Sequence, residues 1–237
     1  MTADDPRAQV KEWLVAGDLK ALLVHSASLH GHYCNGLAFG VKAGHAALRR
    51  LGFENTGMEE LVAVTECNNC FADGVQMSTG CSFGNNALIY KDLGKTAVTV
   101  LSRRTNAAVR VALRANSWSS ENASDREKES RALFTKVVKN RQGTDQERAR
   151  MGELFRELSF ETVQKDEDAL FTITDVPAEF PEYAPIFDSA DCSACGEQFM
   201  ETKGALRGGK PVCLACAKAD CYAVLGRGVR VLPDGAW

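Results

Sequence analysis

The sequence predicts an α+β protein: a core domain over residues 1–175 with an antiparallel sheet flanked by helices, a proline-rich linker over 176–190, and a small cysteine-built module over 191–237. Three observations carry that expectation. Apolar residues at helical spacing fill the first fifty positions and return between about 125 and 158, while short β-rich runs bounded by turn residues lie between them. Strand, helix and meander together make an α+β domain. The cysteines fall into two sets, Cys34, Cys67, Cys70 and Cys81 early, then Cys192, Cys195, Cys213, Cys216 and Cys221 late, which suggests two sites.

Bulk properties narrow the function. A chain of 237 residues leaves room for a main domain plus a small one, and 45% apolar with 25% charged residues is enough for a real core. The net charge of −3 gives no reason to expect nucleic acid or an anionic membrane as partner. No apolar run approaches the roughly 20 residues of a membrane span, and the acidic start Met1 to Asp5 lacks a signal peptide's basic and apolar regions. The expected location is therefore the cytoplasm, where nine cysteines read as metal ligands or redox groups rather than disulfides.

In chain order, Val10, Trp13, Leu14, Leu19, Leu22 and Leu23 are helical, with a break at Gly17-Asp18 whose aspartate can cap a second helix. That helix leads to His30-Gly-His32-Tyr-Cys34-Asn-Gly36. Two imidazoles and a thiol within five residues, in a chain of only four histidines, suit zinc, nickel, copper or iron rather than magnesium or calcium. The run from Gly36 to Leu51 reads as a long helix ending at Gly52, with Gly36, Gly40 and Gly44 on one face. So much helical glycine calls either for a site against that face or for tight packing on a sheet. His45, on the same helix, reads as a surface or core-edge histidine.

Leu61 to Glu66 reads as a strand, followed by a helix that starts near Asn68 or Asn69 and carries Cys70, Asp73 and Gln76. A cysteine at a helix N-terminus has its thiolate favoured by the dipole. The segments 86–90, 96–101 and 107–113 read as an antiparallel meander, with turns at 91–94 and 103–106. After the polar stretch from Ser117 to Asp125, helices are expected over 125–139 and 145–158. Their basic residues, Arg126, Lys128, Arg131, Lys136, Lys139 and Arg141, are interleaved with acids, which favours a solvated face over a phosphate-binding patch. A last strand is expected within 160–174, before the prolines.

In the tail, Cys192-Ser-Ala-Cys195 and Cys213-Leu-Ala-Cys216 are separated by seventeen residues. Each CxxC turn presents two thiolates to one side of a tetrahedron, so this spacing predicts a structural zinc in a ribbon or treble-clef module, closed by a helix over about 214–225. A module this short has little core and must be folded largely by its metal. Cys221 is the odd thiol. Lys203, Arg207, Lys210, Arg227 and Arg230 could meet nucleic acid, with a protein interface at least as well supported.

The residues His30-Gly-His32-Tyr-Cys34-Asn-Gly36, Glu66, Cys70-Phe-Ala-Asp73-Gly-Val-Gln76, Thr79-Gly80-Cys81-Ser-Phe-Gly84 and Tyr90 to Lys95 resemble the FmdE family of formylmethanofuran dehydrogenase proteins. The resemblance spans about residues 15–165. It implies an α+β core, a homodimer, a metal-binding cleft near the His-x-Cys segment and a C-terminal zinc module. The enzyme complex for which the family is named oxidises a formyl group with a molybdenum or tungsten cofactor held by other subunits. Two departures stand out: Asn35 replaces a usual proline, and Cys67 adds a thiol ahead of Cys70.

Carried over, the resemblance marks His32 and Cys34 as ligands of a core metal, zinc, nickel or iron, with Cys70 and Cys81 nearby to complete or gate the site. Cys34, Cys70 and Cys81 are the candidate catalytic thiols, and His30 and Cys67 rank below the other candidate ligands. In an extended segment His30, His32 and Cys34 would face one side; if Tyr33 already begins the helix, only some of them can. Asp73 and Gln76 then read as groups that orient a ligand, with a buried polar pair as the alternative, and Lys91 and Lys95 either neutralise thiolates or an anionic substrate or are exposed turn lysines, the commoner case. Three functions follow: a metalloprotein whose metal has an open position for chemistry, an accessory or metal-handling subunit of a molybdenum or tungsten enzyme, and a thiol redox protein using Cys67 and Cys70.

Overall fold

The computed structural model describes residues 5–53, 55–115, 117 and 123–233, so four residues of the acidic start and most of the polar stretch before Asp125 lie outside the described residues. The chain divides into two compact units, with the boundary between Pro181 and Glu182.

The first unit opens with α1 (Ala8–Ala16) and α2 (Leu19–His30), separated by Gly17 in the left-handed conformation, with Asp18 accepting from the Ala21 amide as N-cap. Then α3 (Asn35–Leu51), starting from Cys34, runs through the middle of the domain and is buried from Leu37 to Leu48. One side of α3 lies on the sheet and the others meet α2 and the helices over Cys70–Thr79 and Asp145–Thr162. β1 (Leu61–Thr65) leads to α4 (Cys70–Thr79), capped by Asn69, and then to β2 (Leu88–Tyr90). The hairpin β3 (Ala97–Ser102) and β4 (Ala107–Leu113) follows. α5 (Asp125–Leu133) continues into a π-helical turn, Phe134–Lys139, before α6 (Asp145–Thr162), α7 (Glu167–Leu170) and β5 (Phe171–Val176).

The sheet order is β2-β1-β3-β4-β5. Two expectations need correction here. Residues 86–90 do not open an antiparallel meander: β2 pairs parallel to β1, because α4 carries the chain back across the sheet between them. The 91–94 turn, instead of closing a hairpin, passes over the end of β1, with the Lys91 amide on the Thr65 carbonyl and the Lys95 amide on the Glu66 carbonyl, so that β3 pairs with β1 on its other side. The last strand begins only at Phe171, since α6 holds residues 160–162 in helix.

Glycine lets α3 and α4 touch. A Cβ on Gly40 would lie 2.0 Å from the Phe71 carbonyl oxygen, and one on Gly74 would lie 2.4 Å from the Leu37 carbonyl oxygen. The smooth face thus serves close helix packing, against a helix rather than a sheet, while its first glycine, Gly36, abuts Cys70. His45 is buried and donates from Nε2 to the Leu14 carbonyl at 3.1 Å, tying α3 to α1. On α5 and α6 most of the basic residues are matched by acids, as Arg126 is with Glu157 and Glu161, Arg150 with Glu129, and Lys136 with Glu147. None of the described helices is long and apolar enough to cross a membrane.

The second unit contains three two-stranded pairs: β6 (Ser189–Asp191) with β7 (Gln198–Met200), β8 (Gly204–Arg207) with β9 (Lys210–Cys213), and β10 (Cys221–Leu225) with β11 (Gly228–Leu232). The expected helix over 214–225 is only α8 (Leu214–Ala217). Lys218 adopts the left-handed conformation and ends it, and the Val- and Tyr-containing segment beyond pairs as a hairpin.

Candidate metal centre

Two helix starts build the core site. Cys34 is the N-cap of α3, its sulfur accepting from the Leu37 amide at 3.4 Å, and Cys70 is the first residue of α4. Because α3 and α4 pack on glycine, these two N-termini converge, and the Cys34 and Cys70 sulfurs come within 4.8 Å of each other. α2 ends at His30, and the left-handed Gly31 turns the chain so that His30 and His32 lie over the same point with ring centroids 4.3 Å apart. The donor atoms of His30, His32, Cys34 and Cys70 all lie within 4.8 Å of one another.

Two of these four donors are held by hydrogen bonds from outside the cluster, Cys34 by the Leu37 amide and His30 by Asp73. His30 Nδ1 donates to Asp73 Oδ2 at 2.7 Å, which leaves the lone pair on Nε2, 3.8 Å from Cys34 Sγ. Gln76 Nε2 in turn donates to Asp73 Oδ1 at 3.1 Å. A carboxylate behind an imidazole sets its tautomer and raises its basicity as a ligand. His32 is exposed and is the least constrained of the four.

Electrostatics makes the two thiols unequal. The Cys34 sulfur beside it, together with His30 and His32, draws Cys70 down to about 5, while Cys34 is pushed up by Cys70 and by burial. One negative charge is thus shared by two sulfurs that cannot both ionise in isolation. A divalent cation removes that conflict, and tetrahedral bonds of about 2.0–2.3 Å would place its ligand atoms about 3.3–3.8 Å apart, a modest tightening of the observed cluster.

The remaining expected residues go elsewhere. Cys81, expected to complete or gate the site, is outside the cluster: it is fully buried, its thiol reaches the Leu61 carbonyl at 3.5 Å, and burial pushes it up to about 11. It follows the C-cap Gly80 of α4, a whole helix away from Cys70. Cys67 is likewise outside, donating to the side chain of Asn69, so that Cys67 and Cys70 turn to different partners. His30, ranked below His32, is the better-anchored donor; α2 extends to His30, so the extended geometry that favoured His32 does not exist. Lys91 and Lys95 are exposed and act on Glu66 rather than on the thiols.

A cavity of about 570 Å³ opens beside His32, Cys34 and Cys70. Its far wall comes from α5, the π-helical turn and α6, including Arg131, Phe134, Lys139 and Phe155. The sequence places Arg131 and Lys139 on a solvated basic face and does not single out Phe134 or Phe155, because all four lie tens of residues along the chain from Cys34 and Cys70. Their helical phase was visible, but nothing local says what a helix faces. π-helical turns recur at functional sites, and this one widens the helix where it borders the cavity.

In the second unit the donor atoms of Cys192, Cys195, Cys213 and Cys216 also lie within 4.8 Å of one another, and Cys221 is not among them. The first pair sits in the turn between β6 and β7; Cys213 ends β9 and caps α8, which carries Cys216. This knuckle, hairpin and short helix follow treble-clef order. Backbone amides of Cys213 and Cys195 hold Cys192 down at about 6, while the other sulfurs push Cys216 up to about 12. Four crowded sulfurs with divergent acidities fit a four-cysteine zinc site, in which the metal stabilises all four as thiolates.

Comparison with known proteins supports the zinc module and gives the family of the core domain. Residues 185–220 match the prokaryotic dksA/traR C4-type zinc finger. A relative from Archaeoglobus fulgidus, named a probable S-adenosyl-L-methionine-binding protein, is 39% identical over 215 residues, taking in 89% of this chain. The chain spans only 56% of that relative's length. The crystal structure of a tungsten formylmethanofuran dehydrogenase FmdE-like protein from Syntrophus aciditrophicus has the same fold, with a TM-score of 0.54 at 22% identity over 84% of this chain and 91% of that one. Residues 29–172, which hold the whole core cluster, match the family described as FmdE, molybdenum formylmethanofuran dehydrogenase operon, and the chain belongs to that family.

Proposed function

We propose that the core domain holds a transition metal, zinc, nickel or iron, on Cys34, Cys70 and His30 with His32 as an exchangeable fourth ligand, and that the C-terminal zinc is structural. The observation that carries this reading is the unequal support of the four donors: three are anchored by helix starts or by Asp73, whereas His32 is exposed beside the cavity. Three protein ligands and a labile fourth position suit a metal that acts on a small molecule rather than one that only braces the fold. The chain would work as a homodimer in the cytoplasm, in association with a molybdenum or tungsten enzyme of the kind the family description names. Copurification with a molybdopterin protein tests that association.

The relative's name suggests a second ligand, S-adenosylmethionine. Its sulfonium and ammonium groups call for carboxylates, yet no Asp or Glu is among the described residues lining the cavity, which include Arg131 and Lys139.

Elemental analysis provides the test. Purified protein should carry about two metal ions per chain, in line with two four-ligand clusters. Cys34→Ala should lose the core ion and keep the tail zinc, and Asp73→Asn should weaken core binding by about 10–100-fold, the usual cost of losing a carboxylate behind a ligand histidine. Unchanged metal content in Cys34→Ala would sink the proposal.

A further inference from the structure

Two cavities meet at the core cluster. The second, about 830 Å³, shares His32, Cys70, Phe134 and Phe155 with the first and lies within the range of small-molecule sites, about 300–1,000 Å³. Three helical segments give it an apolar wall: Val24 and Ala27 from α2, Phe134 and Val138 from the π-helical turn, Met151 and Phe155 from α6. No Asp, Glu, Lys or Arg is among the described residues that line it. The Ser28 hydroxyl, also in the lining, already donates to the His25 carbonyl at 2.6 Å. Apart from Tyr33, the polar side chains left for a ligand are thus His32 and Cys70, which both belong to the metal cluster.

Gly152 is an independent pointer to an occupant. It lies within α6, where glycine weakens a helix relative to alanine, yet an added Cβ would meet nothing within 4 Å, so no neighbour requires it to be bare. A helical glycine without a packing reason suggests a functional one. Gly152 lines this same cavity, and the missing side chain keeps its space open.

We propose that this second cavity binds an uncharged molecule with an aromatic or branched aliphatic body and one polar group, its body against Val24, Phe134, Met151 and Phe155 and its polar group toward His32 and Cys70. A charged group along such a wall would lose water without gaining a partner, whereas an apolar body gains from the same burial. This inference rests on the metal reading above and adds the class of molecule that reaches the metal.

Calorimetric titration of the full, metal-loaded chain with 3-phenyl-1-propanol, 1-propanol, 3-phenylpropylammonium and S-adenosylmethionine tests the proposal. The phenyl alcohol should bind about tenfold or more tightly than each of the other three. Gly152→Leu, which fills the space, should weaken it about tenfold, and Val24→Gln, on the opposite helix, about threefold, both with metal content unchanged and the first with no loss of melting temperature. The inference is overturned if any of the other three compounds binds as tightly as the phenyl alcohol, if both variants keep wild-type affinity, or if the phenyl alcohol does not bind metal-loaded protein. In all three cases the metal reading stands. Absence of core metal from the wild-type chain, read by elemental analysis before titration, defeats the metal reading and this inference with it.

Discussion

Glu66 shows how a single side chain joins the sheet. It is buried just past β1, and Arg110 on β4 grips it with two hydrogen bonds, Nε to Oε1 at 2.6 Å and Nη2 to Oε2 at 2.9 Å. Arg110, helped by Lys95 and Lys91, holds the carboxyl below its ordinary value against the opposing effect of burial. A depressed folded-state value contributes stability above the unfolded pKa, about 4.3, and loses it as pH falls through the folded one. Glu66→Gln should therefore cost about 1–3 kcal/mol at neutral pH, and its deficit against wild type should shrink steadily below about pH 4. Urea midpoints across pH check this, and a deficit constant down to pH 2 would contradict it. At this scale the sequence displayed the right chemical types but ranked them imperfectly. His30 and Cys81 exchanged importance because ligand choice depends on where helices end, and α2 runs one imidazole further than its apolar pattern requires.

Among the elements, the α3–α4 pair decides the site, and glycine decides the pair. With Gly40 and Gly74 bare, the helices approach until backbone meets backbone, and that closeness brings Cys34 to Cys70. Gly40→Ala must displace the Phe71 carbonyl and should cost about 3 kcal/mol or more, at the upper end of overpacking effects, along with core metal affinity. Gly152, exposed on α6 with nothing within 4 Å of an added Cβ, is the control: Gly152→Ala should stabilise by about 0.5–1 kcal/mol. Denaturant melts of the two variants should move in opposite directions, and a mild effect at Gly40 would mean that the helices sit further apart. Two helix starts were legible in the sequence, at Asp18 and at Asn68 or Asn69, and the structure has Asp18, Asn69, Ser124 and Thr144 each accepting from an amide of the helix it starts. Strand neighbours were not. The 91–94 turn has the composition of a hairpin, yet it bridges over β1, and no local residue distinguishes the two outcomes.

For the molecule as a whole, the two units draw stability from different sources. The first has a continuous apolar core around α3, including Leu22, Leu37, Val41, Leu48 and Phe71, whereas the second buries only Cys192 and Val212 among its described hydrophobic residues. A unit so short of core depends on its metal. A strong chelator should therefore expose residues 182–233 to limited proteolysis while the fragment 5–181 persists, and added zinc should restore protection. Equal resistance of both units after chelation would refute a metal-folded tail. The sequence by itself determined most helices and strands of the core, the two sets of cysteines and the four-cysteine finger, because caps, periodicity and CxxC turns act within a few residues of the chain. Only the tertiary structure decided that His30 joins Cys34 and Cys70 while Cys81 does not, that β2 lies parallel to β1, and that Arg131 and Lys139 border the core site. Those outcomes depend on which helix and strand surfaces meet, and that is set by packing between residues tens to a hundred positions apart.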